Sequence, residues 1–207
     1  INCSELLGDH WRKLRKILTP AFHFEILHEF LPIFVNQSLT MVKLLSAEPA
    51  ATSEHGFDIS EYSSRCAFDI ICESSMGTKI NAQLNKDAPY VKAVTGILDS
   101  FIYRYKTPWL HPDIIWKFSS AKKETDKHIR FVDEFGDKVI AERREYLKSL
   151  KRDEKSENVA HGGKKRNMAF LDQLLTSEES ENLSQEDIRS NVNVFMSAVN
   201  TFPFIQL

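Results

Sequence analysis

The chain has 207 residues, 42% of them apolar, enough to bury a sizeable core in one domain or two small ones. With 27 Lys and Arg against 29 Asp and Glu the net charge is −2, so overall charge gives no electrostatic case for nucleic acid. No apolar stretch approaches the roughly 18 residues that a membrane span needs, and no signal peptide opens the chain.

Gly and Pro number 7 each, which favours long helices over many short strands joined by tight turns. The first predicted helix covers 8–18, with Asp9 as its N-cap and Pro20 forcing a break near Thr19. Ile26, Leu27, Phe30, Leu31, Phe34, Leu39, Val42 and Leu45 then recur at helical spacing. They read as one long amphipathic helix with Pro32 inside it, ended by Glu48 and Pro49. Asp58 or Ser60 can cap the next helix, which runs through Tyr62, Cys66, Ile70 and Met76 and stops at Gly77. Pro89 suits the first turn of a helix through Val91, Val94, Ile97, Leu98 and Ile102. Pro108 and Pro112 forbid a regular helix around Trp109.

The longest helical pattern spans 119–150, along Ile129, Val132, Phe135, Val139, Ile140 and Leu147. A polar segment over 151–167, with Gly162 and Gly163, reads as a flexible surface loop. A short helix over 169–176 follows. Ser184 and Asp187 then form a capping-box-like start for a last helix through Ile188, Val192, Phe195, Met196 and Val199, broken by Pro203. The prediction is therefore an all-α chain, a single helical domain over 1–207 or an incomplete part of one.

One local arrangement carries chemistry. Trp11 and Arg15 stand four residues apart, on one helical face. The indole N–H and the guanidinium are donors without acceptors, suited to an anionic group lying on a flat apolar surface. A surface Arg packed on an indole has the same spacing. Arg12, Lys13, Arg15 and Lys16 make a short basic cluster, which suits a solvated face or an acidic partner. The seven histidines include no HExxH, and His23 and His28 lie five apart, poor spacing for one face, so no metal is assigned. No Gly-rich phosphate loop and no GxSxG occurs. Cys3, Cys66 and Cys72 have no CxxC spacing, which argues against a disulfide framework or a zinc site and for a reducing compartment or a cytosol-facing surface. Cys66 and Cys72 read as small core residues.

In order, several segments resemble the cytochrome P-450 superfamily of haem-thiolate monooxygenases, nearest to its family 4 and especially its insect members. They are Gly8-Asp9-His10-Trp11-Arg12-Lys13-Leu14-Arg15-Lys16, Leu18-Thr19-Pro20-Ala21-Phe22-His23-Phe24, and Asp69-Ile70-Ile71-Cys72-Glu73-Ser74-Ser75-Met76-Gly77. Asn81-Ala82-Gln83, Pro108-Trp109-Leu110, Ala169-Phe170-Leu171-Asp172 and Leu183-Ser184-Gln185-Glu186-Asp187-Ile188-Arg189 continue the match.

The resemblance implies the stretch from the C helix to the start of the I helix of a larger helical fold, with Trp11 and Arg15 donating to a haem propionate. The region after Ile102 and the Trp109 loop would lie near the substrate entrance. The whole protein would use haem, molecular oxygen and electrons from an NADPH-dependent reductase. It would insert one oxygen atom into an apolar small molecule such as a fatty acid, hormone or xenobiotic. Its place would be the cytosolic face of the endoplasmic reticulum membrane. The first residue is Ile1 and not Met, so an anchor upstream stays open.

The chain also departs from the family. Ala198 stands where some members have a Glu that bonds covalently to haem, and Phe202 where a proton-delivering Thr is expected. The family's ExxR pair and its iron-binding Cys are absent from these residues, and none of the three cysteines has that ligand's glycine-rich context. The divergence after Met196 reads as a partial gene, an altered splice product or a misread intron, and implies a chain inactive by itself. The alternative is a non-catalytic truncated helical isoform that acts, if at all, by binding a partner through faces meant for missing neighbours.

Overall fold

The structure, a computed structural model, describes residues 8–49, 57–85, 88–156, 170–178 and 180–205. Among these residues the regular elements are all helical: α1 (Asp9–Leu18), α2 (Phe24–Glu29), α3 (Leu31–Ser46), α4 (Ser60–Ile71), α5 (Pro89–Lys106), α6 (Asp113–Phe118), α7 (Ser120–Ser156), α8 (Phe170–Ser177) and α9 (Gln185–Ile205). Short 3-10 turns follow α1 (Thr19–Phe22) and α5 (Pro108–Leu110), and a single π turn (Cys72–Met76) ends the α4 segment.

Local signals set most boundaries. Asp58 accepts the Ser60 N–H at 2.8 Å and so helps start α4. Gly77 ends the π turn in the left-handed region (φ 68°), which lets the Thr78 N–H reach back to the Cys72 carbonyl at 3.0 Å. Pro89 opens α5. Ser184 Oγ accepts the Asp187 N–H at 3.0 Å and Asp187 accepts the Ser184 N–H at 2.9 Å, a reciprocal cap for α9.

Five expectations change. Gly8, not Asp9, is the N-cap of α1, and Ile59, not Asp58 or Ser60, is that of α4. The long helix expected from Ile26 onward is two, because Phe30 (ψ −10°) caps α2 and Pro32 sits in the first turn of α3, where its missing N–H costs nothing. The polar segment expected to begin as a loop at Lys151 is still helix through Ser156, extending α7, and 157–167 lie outside the described residues. Pro203 does not break α9, which runs to Ile205. A proline deletes one backbone donor, and near a helix end the bonds on either side hold the turn.

The core lies where α4, α9, α8 and the middle of α7 meet. Phe68, Met76, Ile140, Leu171, Leu174, Ile188, Val192 and Met196 are sealed from solvent. Phe68 stacks on Tyr90 with centroids 4.5 Å apart, and Tyr90 meets Phe135 at 4.8 Å. α4 packs on α3 and α9, α5 lies along α7, and α1 packs on α8. Leu31, Val35, Leu39 and Val42 form an apolar line on α3 that remains about half exposed.

Candidate functional site

α1 owes its orientation to its two faces. Ile17 is buried, and Leu14 and Leu18 pack partly against the same core. Lys13 donates its ammonium to the Glu181 carbonyl and faces the Glu181 carboxylate at 3.9 Å, tying α1 to the turn before α9. That turn is itself fixed: Arg144 Nη2 bonds the Glu178 carboxylate at 2.9 and 3.0 Å and Gln185 Oε1 at 2.9 Å. Arg15 and Lys16 in the last turn of α1 complement the helix dipole.

With one side anchored, the opposite side is free to present donors. Trp11 is 37% exposed, and the Arg15 guanidinium carbon lies 5.1 Å from the centroid of its ring. Among the described residues no carboxylate pairs with Arg15. Stacking on the indole holds the fork without consuming its N–H donors. The arrangement can grip a carboxylate through charge-assisted bonds, with the indole N–H as a neutral second donor. Beyond it, Phe22 is half exposed and meets Phe195 of α9 at 5.6 Å and Phe170 of α8 at 6.4 Å. An anionic edge held on a flat apolar body fits this donor set.

Cys66 and Cys72 are buried free thiols. Burial pushes both above the usual thiol range, Cys72 much further, so neither offers a thiolate. Cys3 lies outside the described residues. Ala198 is exposed on α9, and Phe202 falls within the same helix. Sequence reasoning missed the Lys13–Glu181 tie, whose partners are 168 residues apart. It also missed Arg104, which clamps the loop after α5.

Replacing Lys13 by methionine should loosen α1 and the turn over 180–183 together. Amide exchange in both should quicken by about fivefold, as for one half-exposed charged hydrogen bond. Unchanged exchange in either element would show that the tie does not position α1.

The model of the family Cytochrome P450 matches residues 3–201. The chain is 41% identical over 193 residues to cytochrome P450 4d2 of Drosophila melanogaster, covering 91% of this chain and 38% of that protein. It is 39% identical over 194 residues to cytochrome P450 4V2 of Pongo abelii, covering 91% of this chain and 36% of that protein. Against cytochrome P450 4c21 of Blattella germanica the identity is 39% over 190 residues, again 91% of this chain and 37% of that one. The chain thus spans little more than a third of these relatives. A crystallised cytochrome P450 (CYP102L1) superposes with a TM-score of 0.67 at 19% identity, over 93% of this chain and 40% of that one, a likeness of fold.

Proposed function

The chain belongs to the cytochrome P450 family, and from that premise we propose that it forms the haem-anchoring portion of a monooxygenase. In this reading Arg15 donates to a haem propionate and Trp11 adds its indole N–H. The supporting observation is the Arg15 guanidinium held over the Trp11 ring with no carboxylate partner among the described residues. Lys13 ties α1 to the turn before α9, and α1 packs on α8, while Trp11 stays exposed. Haem, when bound, would supply the activation of molecular oxygen.

The substrate of the whole protein is read as an apolar small molecule such as a fatty acid, hormone or xenobiotic. Its electron donor is read as an NADPH-dependent reductase, and its place as the cytosolic face of the endoplasmic reticulum membrane. No helix among the described residues is long and apolar enough to cross a membrane. The second reading, a helical protein that acts by binding a partner, draws support from the half-exposed apolar line on α3.

Hemin titration of the 207-residue chain tests the reading. Arg15→Met should weaken binding by about tenfold or more, the worth of a hydrogen bond to a charged group. Trp11→Phe should weaken it less. The dimethyl ester of the porphyrin, which has no carboxylate, should bind the chain and its Arg15→Met variant alike. Because Cys66 and Cys72 are buried thiols and Cys3 lacks the glycine-rich context of the family's iron ligand, the reduced carbon monoxide complex of the chain should show no thiolate-type Soret band. Equal hemin affinity for the chain and Arg15→Met would end the reading of Trp11 and Arg15 as a propionate site.

A further inference from the structure

Two consecutive arginines of α7 hold α8 at its two ends. Arg143 bonds Asp172, in the first turn of α8, through Nε at 2.6 Å and Nη2 at 2.8 Å. Arg144 reaches past the other end. Its Nη2 donates to both carboxylate oxygens of Glu178, at 2.9 and 3.0 Å, and to Oε1 of Gln185, where α9 begins, at 2.9 Å. Neighbouring residues of a helix point about 100° apart, and here the two guanidiniums serve opposite ends of one short helix.

α1 rides on the piece so held. Its apolar side joins the core and packs on α8, and Lys13 closes onto the carbonyl and carboxylate of Glu181. Backbone bonds join Glu181 to the end of α8. The Glu181 N–H donates to the Ser177 carbonyl and the Leu183 N–H to the Glu178 carbonyl, each at 3.0 Å. Asn182 takes a positive φ of 48°, a conformation that asparagine tolerates at a cost, so this turn depends on what ties it on either side. An unbroken line of contacts therefore runs from Arg144 on α7, through Glu178 and the turn, to Lys13 on the helix that bears Trp11 and Arg15.

We propose that Arg144 is a positioning residue for the donor pair on α1, setting through the turn and Lys13 where Arg15 and Trp11 meet a carboxylate. The inference rests on the reading of that pair as a propionate site. Its physical basis is a difference in tolerance. Hydrogen bonds to a carboxylate are directional and weaken steeply when the donor is displaced. Contact with a flat apolar body is non-directional and survives a small shift. Loss of Arg144 is therefore felt by the carboxylate edge of a ligand and not by its plane.

Hemin and its dimethyl ester, titrated into the full chain, separate positioning from general loosening. Arg144→Met should weaken hemin binding by about threefold, part of the worth of a hydrogen bond to a charged group, and leave the affinity for the ester unchanged. Glu178→Gln cuts the same contact from the other side and should do the same. Amide exchange should quicken over 9–18 and 180–183 in both variants. In a Lys13→Met background, Arg144→Met should quicken the turn further but add nothing to α1 exchange or to the loss of hemin affinity. Arg189→Met breaks another link between α7 and α9, to Asp137 at 3.1 Å, and should keep the parent ratio of hemin to ester affinity. The idea is overturned if Arg144→Met weakens hemin and ester alike, if α1 exchange is unchanged, if its effect adds fully to that of Lys13→Met, or if Arg189→Met shifts the ratio as much. If α1 exchange responds as expected while Arg15→Met leaves hemin affinity unchanged, the propionate reading falls and the tie from Arg144 to α1 stands.

Discussion

Gly77→Ala is expected to destabilise the fold by about 3 kcal/mol, through two costs that add at one atom. Gly77 has φ 68°, and an L side chain there carries about 1–2 kcal/mol of strain. The added Cβ would also stand 2.4 Å from Arg143 Nη1 and 2.6 Å from its Cζ. An arginine tip usually moves aside, but this one is held. It bonds Asp172 twice, at 2.6 and 2.8 Å, and lies 4.8 Å over the Tyr146 ring. The Asp172 side chain is only 9% exposed, so displacing its partner strands a buried carboxylate. Urea unfolding measures the cost, and an Arg143→Met background separates the two parts. There Gly77→Ala should cost only the backbone part, about 1–2 kcal/mol. An equal cost in both backgrounds would show that Arg143 is not what the methyl meets.

The second large effect belongs to Asp69. Its carboxylate is buried and accepts the N–H of Ala82 at 2.7 Å and of Gln83 at 2.9 Å, fixing the loop between the π turn and α5. Asp69→Ala leaves two buried donors unpaired and should cost about 3 kcal/mol, measured by chemical unfolding. Asp69→Asn keeps an acceptor and should cost less.

Asp69 also sets a pH slope. Burial, which outweighs the N–H bonds, holds its carboxyl above the ordinary aspartate value of 3.8, and Glu73 pushes the same way. The folded chain therefore keeps this proton to higher pH than the unfolded chain does. The stability it lends is full below 3.8 and is lost as pH rises through the folded value. Asp69→Asn should lack this fall, and parallel pH profiles for the two chains would count against the assignment.

Both effects show which contacts a sequence carries openly. Gly77 was legible as a helix stop, because a glycine closing an apolar helical run has one common use. That its Cα also seats a guanidinium from α7 was not legible. Asp69 sits among apolar neighbours on α4 with nothing to distinguish it from a solvated carboxylate, and its donors lie 13 and 14 residues away. Arg104 likewise reads as one more charge near a helix end, although its acceptors lie only six to nine residues on. Two prolines in that stretch hide the geometry that gathers them.

The candidate site divides the same way. Trp11 and Arg15 were legible because four residues on a helix is a distance set by the backbone itself, and the pair is indeed in contact. The side of α1 that turns outward was decided by Ile17 in the core and by Lys13 on Glu181.

By itself the sequence determined the all-helical class, most helix boundaries and the donor spacing on α1. Each of these is fixed by backbone geometry and by caps reaching three or four residues along the chain. The tertiary structure alone decided the outward-facing apolar line on α3 and the long-range clamps of Lys13, Asp69 and Arg143. Those depend on what packs against each face, and a helical period fixes that a face is apolar without fixing what covers it.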